Sequence, residues 1–567
     1  MSGIVLMSLL MAKPASAFWL FKDGKSDYSI QLPASASLTE RTAAAELQQV
    51  LAEISGIKLP IVADAGTGRH IHVGWSSRTG RQKPAAADEG YTYETIGDDL
   101  YIYGGSERGT MYGVFSFLER ELGVHWLTSS CTRIPKKSNC QLGSLRHSEQ
   151  PVVRQRLDFY NDALWHHDWA AHNKINTQYL LAQNKYGSFS AYWGIHTFQT
   201  LIPPEKYFKD HPEYFSVFNG KRSDKAQLCL SNSAMRQELT RNFLAAIKNN
   251  PGYWCYDLSQ NDNPWPCECD DCKKLAERYG GQSGALLWLV NQVAGEVEKV
   301  FPDKYVGTFA YKYTRHAPTS GIRPRKNVVI RLCNIECCMA HPLESCPENE
   351  SFIADMNNWQ KLGSNIYIWD YSTCFRHYLL PFPNFKTMAA NFRYFSRSNV
   401  IGVMEEGCHN VRWGEFSELK QWMIAKLLWN PYQNVDSLAA IFIDGYYGNS
   451  APYVRRYYEL CNRSVKPDTH FTINIHERLS LYNDRFVNSG LSLMRKALSK
   501  AVGDEELQKR ILRLKAQLLY LKMYQNPARS IADGTVAELK DIINADETKV
   551  SESLNTVDKV LLNMGYR

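Results

Sequence analysis

The chain has 567 residues, 44% of them hydrophobic and 12% aromatic, which is too rich in core-forming side chains for a disordered protein. Its 65 basic residues exceed its 58 acidic ones by only seven, and no basic run or arm is present, which argues against a nucleic-acid partner. No sustained period runs along the sequence, so coiled coils, collagen-like repeats and low-complexity tracts are excluded.

In chain order, Gly3 to Ala12 is a largely apolar run, and Ala15-Ser16-Ala17 has the small-x-small form of a signal peptidase site. A run of about ten residues is too short to span a bilayer. Residues 1–17 are therefore expected to be a cleaved signal peptide, and the mature chain to be secreted, periplasmic or on the cell surface. No later segment reaches the roughly 18 apolar residues of a spanning helix, so no transmembrane anchor is expected. Export would leave the 14 cysteines in an oxidising compartment that permits disulfides.

Residues 18–148 read as a small α/β accessory domain. Ser37-Leu-Thr-Glu40 is a capping-box pattern, followed by Ala44, Leu47, Leu51 and Ile54 at helical spacing and by Gly56 as a stop. His70–Val73, Tyr91–Tyr93 and Leu100–Tyr103 read as strands, and Arg108–Leu122 as a second helix.

Residues 149–430 alternate short apolar strands with helices, which points to a (β/α)8, TIM-like barrel. The strands are read at Val152-Val153, Tyr253–Tyr256, Tyr305–Ala310, Val328–Leu332, Ile366–Trp369 and Val400–Met404. Helices are read at Gly284–Val300 and Ser351–Leu362. Residues 431–567 read as a helical C-terminal domain, with long periodic helices over Asp504–Tyr524 and Val536–Leu562.

Asp158, Asp262, Glu336, Asp370, Glu405 and Glu406 all follow expected barrel strands, where such barrels keep their chemistry. Taken singly, each also reads as a solvated loop acid or a helix cap. As a set they suit glycoside hydrolysis, which needs one protonated carboxyl and a second group to stabilise an oxocarbenium-like centre. Aromatic residues accompany them: Tyr256, Trp265, Tyr311, Tyr313, Trp369 and Tyr371, with Trp165 and Trp193 nearer the start of the barrel. Each alone is equally a core residue. Neither Trp165-His-His-Asp-Trp169 nor Trp193-Gly-Ile-His196 has a zincin spacing, so no catalytic metal is expected. No GxGxxG, Walker or GxSxG string occurs, which leaves nucleotide enzymes and serine hydrolases without support.

Cys267-Glu-Cys-Asp-Asp-Cys272 puts three thiols in six residues. Disulfides pinning a loop are the favoured reading; a structural zinc at Cys267, Cys269 and Cys272, completed by Cys255 or by Cys337-Cys338, is the alternative. No cofactor is otherwise expected.

Several strings together carry a resemblance. Leu100-Tyr-Ile-Tyr-Gly-Gly with Arg108-Gly-Thr-Met-Tyr-Gly-Val-Phe-Ser-Phe-Leu-Glu119 resembles the N-terminal domain found ahead of α-glucuronidase and hexosaminidase barrels. Asn261-Asp262 with Cys267-Glu-Cys269, Arg331-Leu-Cys-Asn-Ile-Glu-Cys337, Ile368-Trp-Asp-Tyr371, Pro381-Phe-Pro-Asn384 and Gly445-Tyr-Tyr-Gly448 resemble the domain of unknown function 4838. Part of that family is classified as glycoside hydrolase family 163. The resemblance implies a retaining endo-β-N-acetylglucosaminidase that cuts the chitobiose core of complex N-glycans, with the substrate's own 2-acetamido carbonyl as nucleophile.

On that footing Glu336 is expected as acid/base and Asp262 as the carboxylate that polarises the acetamide. Related barrels often carry both on adjacent residues after strand four; here that tip reads Asn261-Asp262, so the second carboxyl must come from another strand. Asn261, Asp370, Glu405, Trp369, Tyr311, Tyr313, His196 and Trp193 are expected to bind the glycan or glycoprotein substrate. The competing readings are an exo-acting hexosaminidase or α-glucuronidase-like enzyme, and a non-catalytic carbohydrate-binding surface protein.

Overall fold

Ser37 opens the first long helix, Leu38–Ser55, in the computed structural model, which describes residues 18–64, 66–83, 85, 89–178, 185–474, 481–546 and 548–566. The Ser37 hydroxyl accepts from Glu40 N, the Glu40 carboxylate accepts from Ser37 N, and Gly56 ends the helix at φ +80°. These are the reciprocal capping and left-handed stop read from the sequence. The expected signal peptide lies outside the described residues.

The described residues divide into two units. The first contains a six-stranded mixed sheet in the order 146–149, 91–96, 99–104, 69–73, 28–31, 61–62. Helices Leu38–Ser55 and Glu107–Arg120 pack together beside it. A Cβ on Gly104 would come within 2.2 Å of the Gly109 carbonyl carbon, so the strand end and the helix meet at a distance that only glycine allows.

The second unit is built on one curled sheet of eight parallel strands. In chain order these are β1 Gln155–Phe159, β2 Thr177–Gln178, β3 Phe189–Trp193, β4 Tyr253–Asp257, β5 Tyr305–Ala310, β6 Val328–Cys333, β7 Asn365–Tyr371 and β8 Gly402–Glu406. Their spatial order is β1-β8-β7-β6-β5-β4-β3-β2, each next to its neighbour in sequence, as in a TIM-like fold. At the seam between β1 and β2, Asn176 accepts from Arg156 N at 2.9 Å and donates to Arg154 O at 2.9 Å.

Two strands, β1 and β8, sit later in the chain than the apolar runs indicated, and β7 runs on to Tyr371, two residues past its apolar run; that shift matters for the site. The first begins at Gln155, because its buried polar members Arg156 and Asp158 break the apolar signature. The guanidinium of Arg156 is satisfied by Lys174 O and Val153 O, both at 2.8 Å. Asp158, Asp370, Glu405 and Glu406 consequently belong to the last residues of β1, β7 and β8 instead of following them.

The region expected as one helix over Val536–Leu562 is two, Thr535–Ala545 and Val557–Asn563. Thr556 caps the second by accepting from Lys559 N, and Val550 in the intervening segment is buried. Its carbonyl accepts from Tyr378 N at 2.9 Å, so tertiary pairing replaces helical pairing there. The C-terminal helices share a core with loops of the barrel side: Leu379 and Trp413 pack with Tyr520, Met523, Leu539 and Leu561. No described helix is long and apolar enough to cross a membrane.

Candidate active site

Strand alternation decides which acids can work together. Parallel pairing aligns Asp158 with Glu405 and Glu405 with Asp370, while Phe159 aligns with Glu406 and Glu406 with Tyr371. Paired residues share a face of a sheet and consecutive residues do not. Asp158, Glu405 and Asp370 therefore form one layer, and Phe159, Glu406 and Tyr371 the other.

The first layer is sealed in protein. Burial raises Asp158 and Glu405 well above the ordinary carboxylate range, with Asp370 and Asp158 adding to the effect on Glu405. Burial also lifts Asp370 to about 6, against a hydrogen bond from Asn334 Nδ2 at 2.6 Å. Nearby, Lys420 is buried with Glu415 at 2.6 Å and also donates to the carbonyls of Ser372 and Phe382.

The second layer faces a cleft of about 730 Å³. Below it Arg331 is 1% exposed, 3.4 Å from Asp257, with its guanidinium 4.1 Å from the Tyr192 ring centre and 4.8 Å from those of Phe309 and Trp369. This stacked cation and its carboxylate close the floor of the curl.

Glu406 lines the cleft with its side chain 13% exposed. Trp369 donates its indole N–H to Oε2 at 2.7 Å, and His409 Nδ1 lies 3.9 Å from Oε1. Burial pushes this carboxyl up to about 8, so it holds a proton at neutral pH.

Asp262 lines the same cleft in the opposite state. Partial burial opposes its ionisation, but Lys312, His196 and Tyr311 outweigh that and hold it below the usual carboxylate range. Lys312 Nζ is 2.8 Å and the Tyr311 hydroxyl 3.1 Å from Oδ1. Two groups that serve this corner sit in backbone conformations rare for L-residues: His196 at φ +54° and Lys312 at φ +50°. Such strain persists only where surrounding structure enforces it, and it clusters at functional sites. His196 Nδ1 is 2.7 Å from the carbonyl of Gln260, which assigns the proton to Nδ1 and leaves Nε2 as the acceptor in the neutral ring.

Of the residues expected from sequence, the cleft brings together Asp262, His196, Tyr311 and Trp369. Glu336 is not among its lining residues; its side chain is 45% exposed and pairs with Arg315 at 3.0 Å. Asp370 and Glu405 lie in the sealed layer. Asn261 is buried, donating to Ala226 O and accepting from Gln199 N, so it braces loops. Trp193, with the opposite strand parity to the floor residue Tyr192, packs toward Tyr256, and Tyr313 lines a separate small crevice beside Cys267 and Cys272.

Sequence reading placed Glu406 at a strand tip but gave it no role, and it missed His409, Arg376, Asn474 and Glu552, which also line the cleft. The Glu405-Glu406 pair was the available signal: in a strand, one of two adjacent acids must face each way.

The cysteine string has a fourth member that neither Cys255 nor Cys337-Cys338 supplies. Cys255 is sealed on β4, whereas Cys229 meets Cys267, Cys269 and Cys272, with all four sulfurs within 4.8 Å of one another. Cys229 Sγ is 3.8 Å from both Cys269 Sγ and Cys272 Sγ, far beyond the roughly 2.05 Å of a disulfide.

A family model described as "Domain of unknown function (DUF4838)" matches residues 126–459, more than half of the chain. The protein belongs to the DUF4838 family. A second model, "Glycosyl hydrolase family 67 N-terminus", matches residues 25–117. No curated protein matches the sequence. Among solved structures, the chain is similar to a family GH115 4-O-methyl-α-glucuronidase with specificity for decorated arabinogalactans. Identity is 13% and the TM-score 0.57, over 92% of this chain and 77% of that one. It is also similar to a family 89 glycoside hydrolase from Clostridium perfringens in complex with 2-acetamido-1,2-dideoxynojirmycin. There identity is 9% and the TM-score 0.56, over 90% of this chain and 66% of that one. At these identities the likeness is one of fold, shared with these two glycoside hydrolases. The DUF4838 match spans Asp262, Trp369 and Glu406, whereas the cleft residues Ile473, Asn474 and Glu552 lie beyond it.

Proposed function

We propose that this DUF4838 protein is a retaining glycoside hydrolase that cleaves GlcNAc-containing glycans by substrate assistance. Glu406 serves as acid/base and Asp262 as the carboxylate that holds the acetamide. The observation that carries this reading is the presence in one cleft of a carboxyl kept protonated by burial and a second kept ionised by Lys312 and Tyr311. Paired titratable groups pushed in opposite directions mark acid and base assignments.

In the first step the 2-acetamido carbonyl oxygen attacks the anomeric carbon while Glu406 gives its proton to the departing glycosidic oxygen, forming a cyclic oxazolinium. Asp262 accepts a hydrogen bond from the acetamide N–H and stabilises the positive charge that develops there. Glu406, now a carboxylate, takes a proton from water as that water attacks the anomeric carbon, and the ring opens with retention. Trp369, Tyr371, Phe309 and Trp165 offer aromatic faces to the sugar rings. Glu336 is replaced in the acid/base role because its exposed carboxylate is engaged by Arg315.

Endo cleavage within the chitobiose core of complex N-glycans is the preferred specificity, supported by the family 163 resemblance. The apolar run at Gly3–Ala12 fits export to where such glycoproteins occur. A second reading is an α-glucuronidase-like activity, favoured by Arg376 in the cleft wall, whose cation suits a uronic carboxylate. Incubation of the full chain with a complex-type N-glycoprotein, followed by mass spectrometry of released glycans, tests the two. Glycans ending in one GlcNAc, lost in Glu406→Gln and Asp262→Asn, support the first reading. Release of glucuronic acid from uronosyl oligosaccharides, with no action on the glycoprotein, favours the second.

A further inference from the structure

Four ligand-type side chains converge beside the cleft without taking part in the proposed chemistry. Cys338, His341 and Cys346 lie on the loop that follows β6, and His470 comes from 124 residues further along the chain than Cys346. His470 Nδ1 is 3.4 Å from Cys338 Sγ and 3.6 Å from Cys346 Sγ, and His341 Nδ1 is 3.8 Å from Cys338 Sγ. All four atoms lie within 4.8 Å of one another. Around a tetrahedral zinc with bonds of about 2.3 Å to sulfur and 2.05 Å to nitrogen, sulfur and nitrogen ligands stand about 3.6 Å apart. The three measured separations bracket that edge.

The surroundings fit as well. His341 Nε2 is 3.1 Å from Lys466 O; donating there leaves Nδ1 unprotonated and aimed at the cluster, the usual arrangement behind a ligating histidine. Both thiols are nearly sealed, at 2% and 4% exposed. Glu348 lies 3.4 Å from the same Nδ1 of His470 and would add negative charge beside a divalent ion.

We propose that Cys338, His341, Cys346 and His470 bind a structural zinc ion that staples the segment around residue 470 to the loop after β6. The staple bears on the cleft, because Ile335 of that loop and Ile473 and Asn474 of that segment line it. A backbone hydrogen bond, Met339 N to Phe471 O at 2.7 Å, and the Phe382–Phe471 ring contact lie alongside. The ion would hold one wall of the cleft.

A separate observation carries a second site of the same kind. A four-sulfur zinc site with bonds of about 2.3 Å has sulfur–sulfur edges of about 3.8 Å. That is the separation of Cys229 from Cys269 and from Cys272. Val217 N donates to Cys267 Sγ at 3.3 Å, and Ser231 Oγ lies 3.2 Å from Cys272 Sγ, supplying the outer hydrogen bonds that thiolates require. This ion would tie the loop before the helix Ser233–Asn249 to the start of the helix Asp270–Arg278.

Elemental analysis of the full chain, purified without a histidine tag from zinc-supplemented culture, tests both sites. Two zinc ions per chain are expected, falling to one in His470→Ala and to one in Cys269→Ser/Cys272→Ser. Unchanged zinc in His470→Ala overturns the first site, and unchanged zinc in the double serine variant overturns the second. Should either variant fail to fold, the wild-type chain reloaded with cobalt(II) gives the answer. Intense thiolate-to-cobalt absorption with tetrahedral bands from two ions per chain supports the proposal, and their absence overturns it. Mapping of alkylated cysteines without reduction adds a check: a Cys338–Cys346 or Cys229–Cys272 disulfide overturns the corresponding site.

Discussion

Trp369 donates its indole N–H to Oε2 of Glu406 at 2.7 Å, from the neighbouring strand of the same inward-facing layer. The bond orients the carboxyl toward the cleft and partly offsets the burial that keeps it protonated. Removing this donor while keeping an aromatic face isolates its contribution. Trp369→Phe is expected to move the alkaline limb of the kcat/KM profile to higher pH and to lower kcat about tenfold, read from a pH–rate series on a GlcNAc glycoside.

The wild-type profile itself follows from the two carboxyls. The proposed mechanism requires Glu406 protonated and Asp262 ionised, so kcat/KM should be flat near neutrality. It should fall as pH rises through about 8 and again in acid below the ordinary carboxylate range. Lys312→Met removes the cation 2.8 Å from Asp262 and should shift the acid limb upward while leaving the alkaline limb in place. An unmoved acid limb in this variant would remove Asp262 from the mechanism.

Glu406 also links stability to pH. Its ordinary value is 4.5 and its folded value about 8. Below 4.5 both states are protonated. Between the two values the folded chain holds a proton that the unfolded chain has lost, so stability falls as pH rises and levels off above about 8. Glu406→Gln should therefore be more stable than wild type at pH 8, by a few kcal/mol at most, and equal to it near pH 4, as read by urea denaturation at both pH values.

Glu336→Gln distinguishes the strand-tip reading of the sequence from the cleft geometry. Arg315 keeps Asp355 at 2.8 Å and Ser351 at 2.6 Å when the exposed Glu336 partner is neutralised. Turnover is expected within about threefold of wild type, since an exposed ion pair contributes roughly 0–1 kcal/mol. Glu406→Gln should lose about 10²- to 10⁴-fold under the same assay.

Lys420→Met should destabilise by about 3–5 kcal/mol, because it strands Glu415 in the interior. Lys420→Met/Glu415→Gln should recover part of that loss. Equal midpoints for the single and double variants in urea would count against a direct pair.

Local patterns in the sequence determined much of this protein, because they need no distant partner. The capping box at Ser37, the stop at Gly56 and most of the parallel strands are set by residues a few positions apart. The placement of Asp262, Tyr311 and Trp369 near strand ends is equally local. Tertiary structure decided the rest. The short strand at Thr177-Gln178 has too few residues to show a period, and Glu552 reaches the cleft only because a helix breaks to satisfy Tyr378. Which of Glu405 and Glu406 faces the cleft depends on β8 aligning with β1 and β7, since a shift of one residue would exchange their faces. The same holds for Cys229 and His470, which join their clusters from 38 or more residues away in sequence. Register and long-range convergence are properties of several segments at once, and no single segment encodes them.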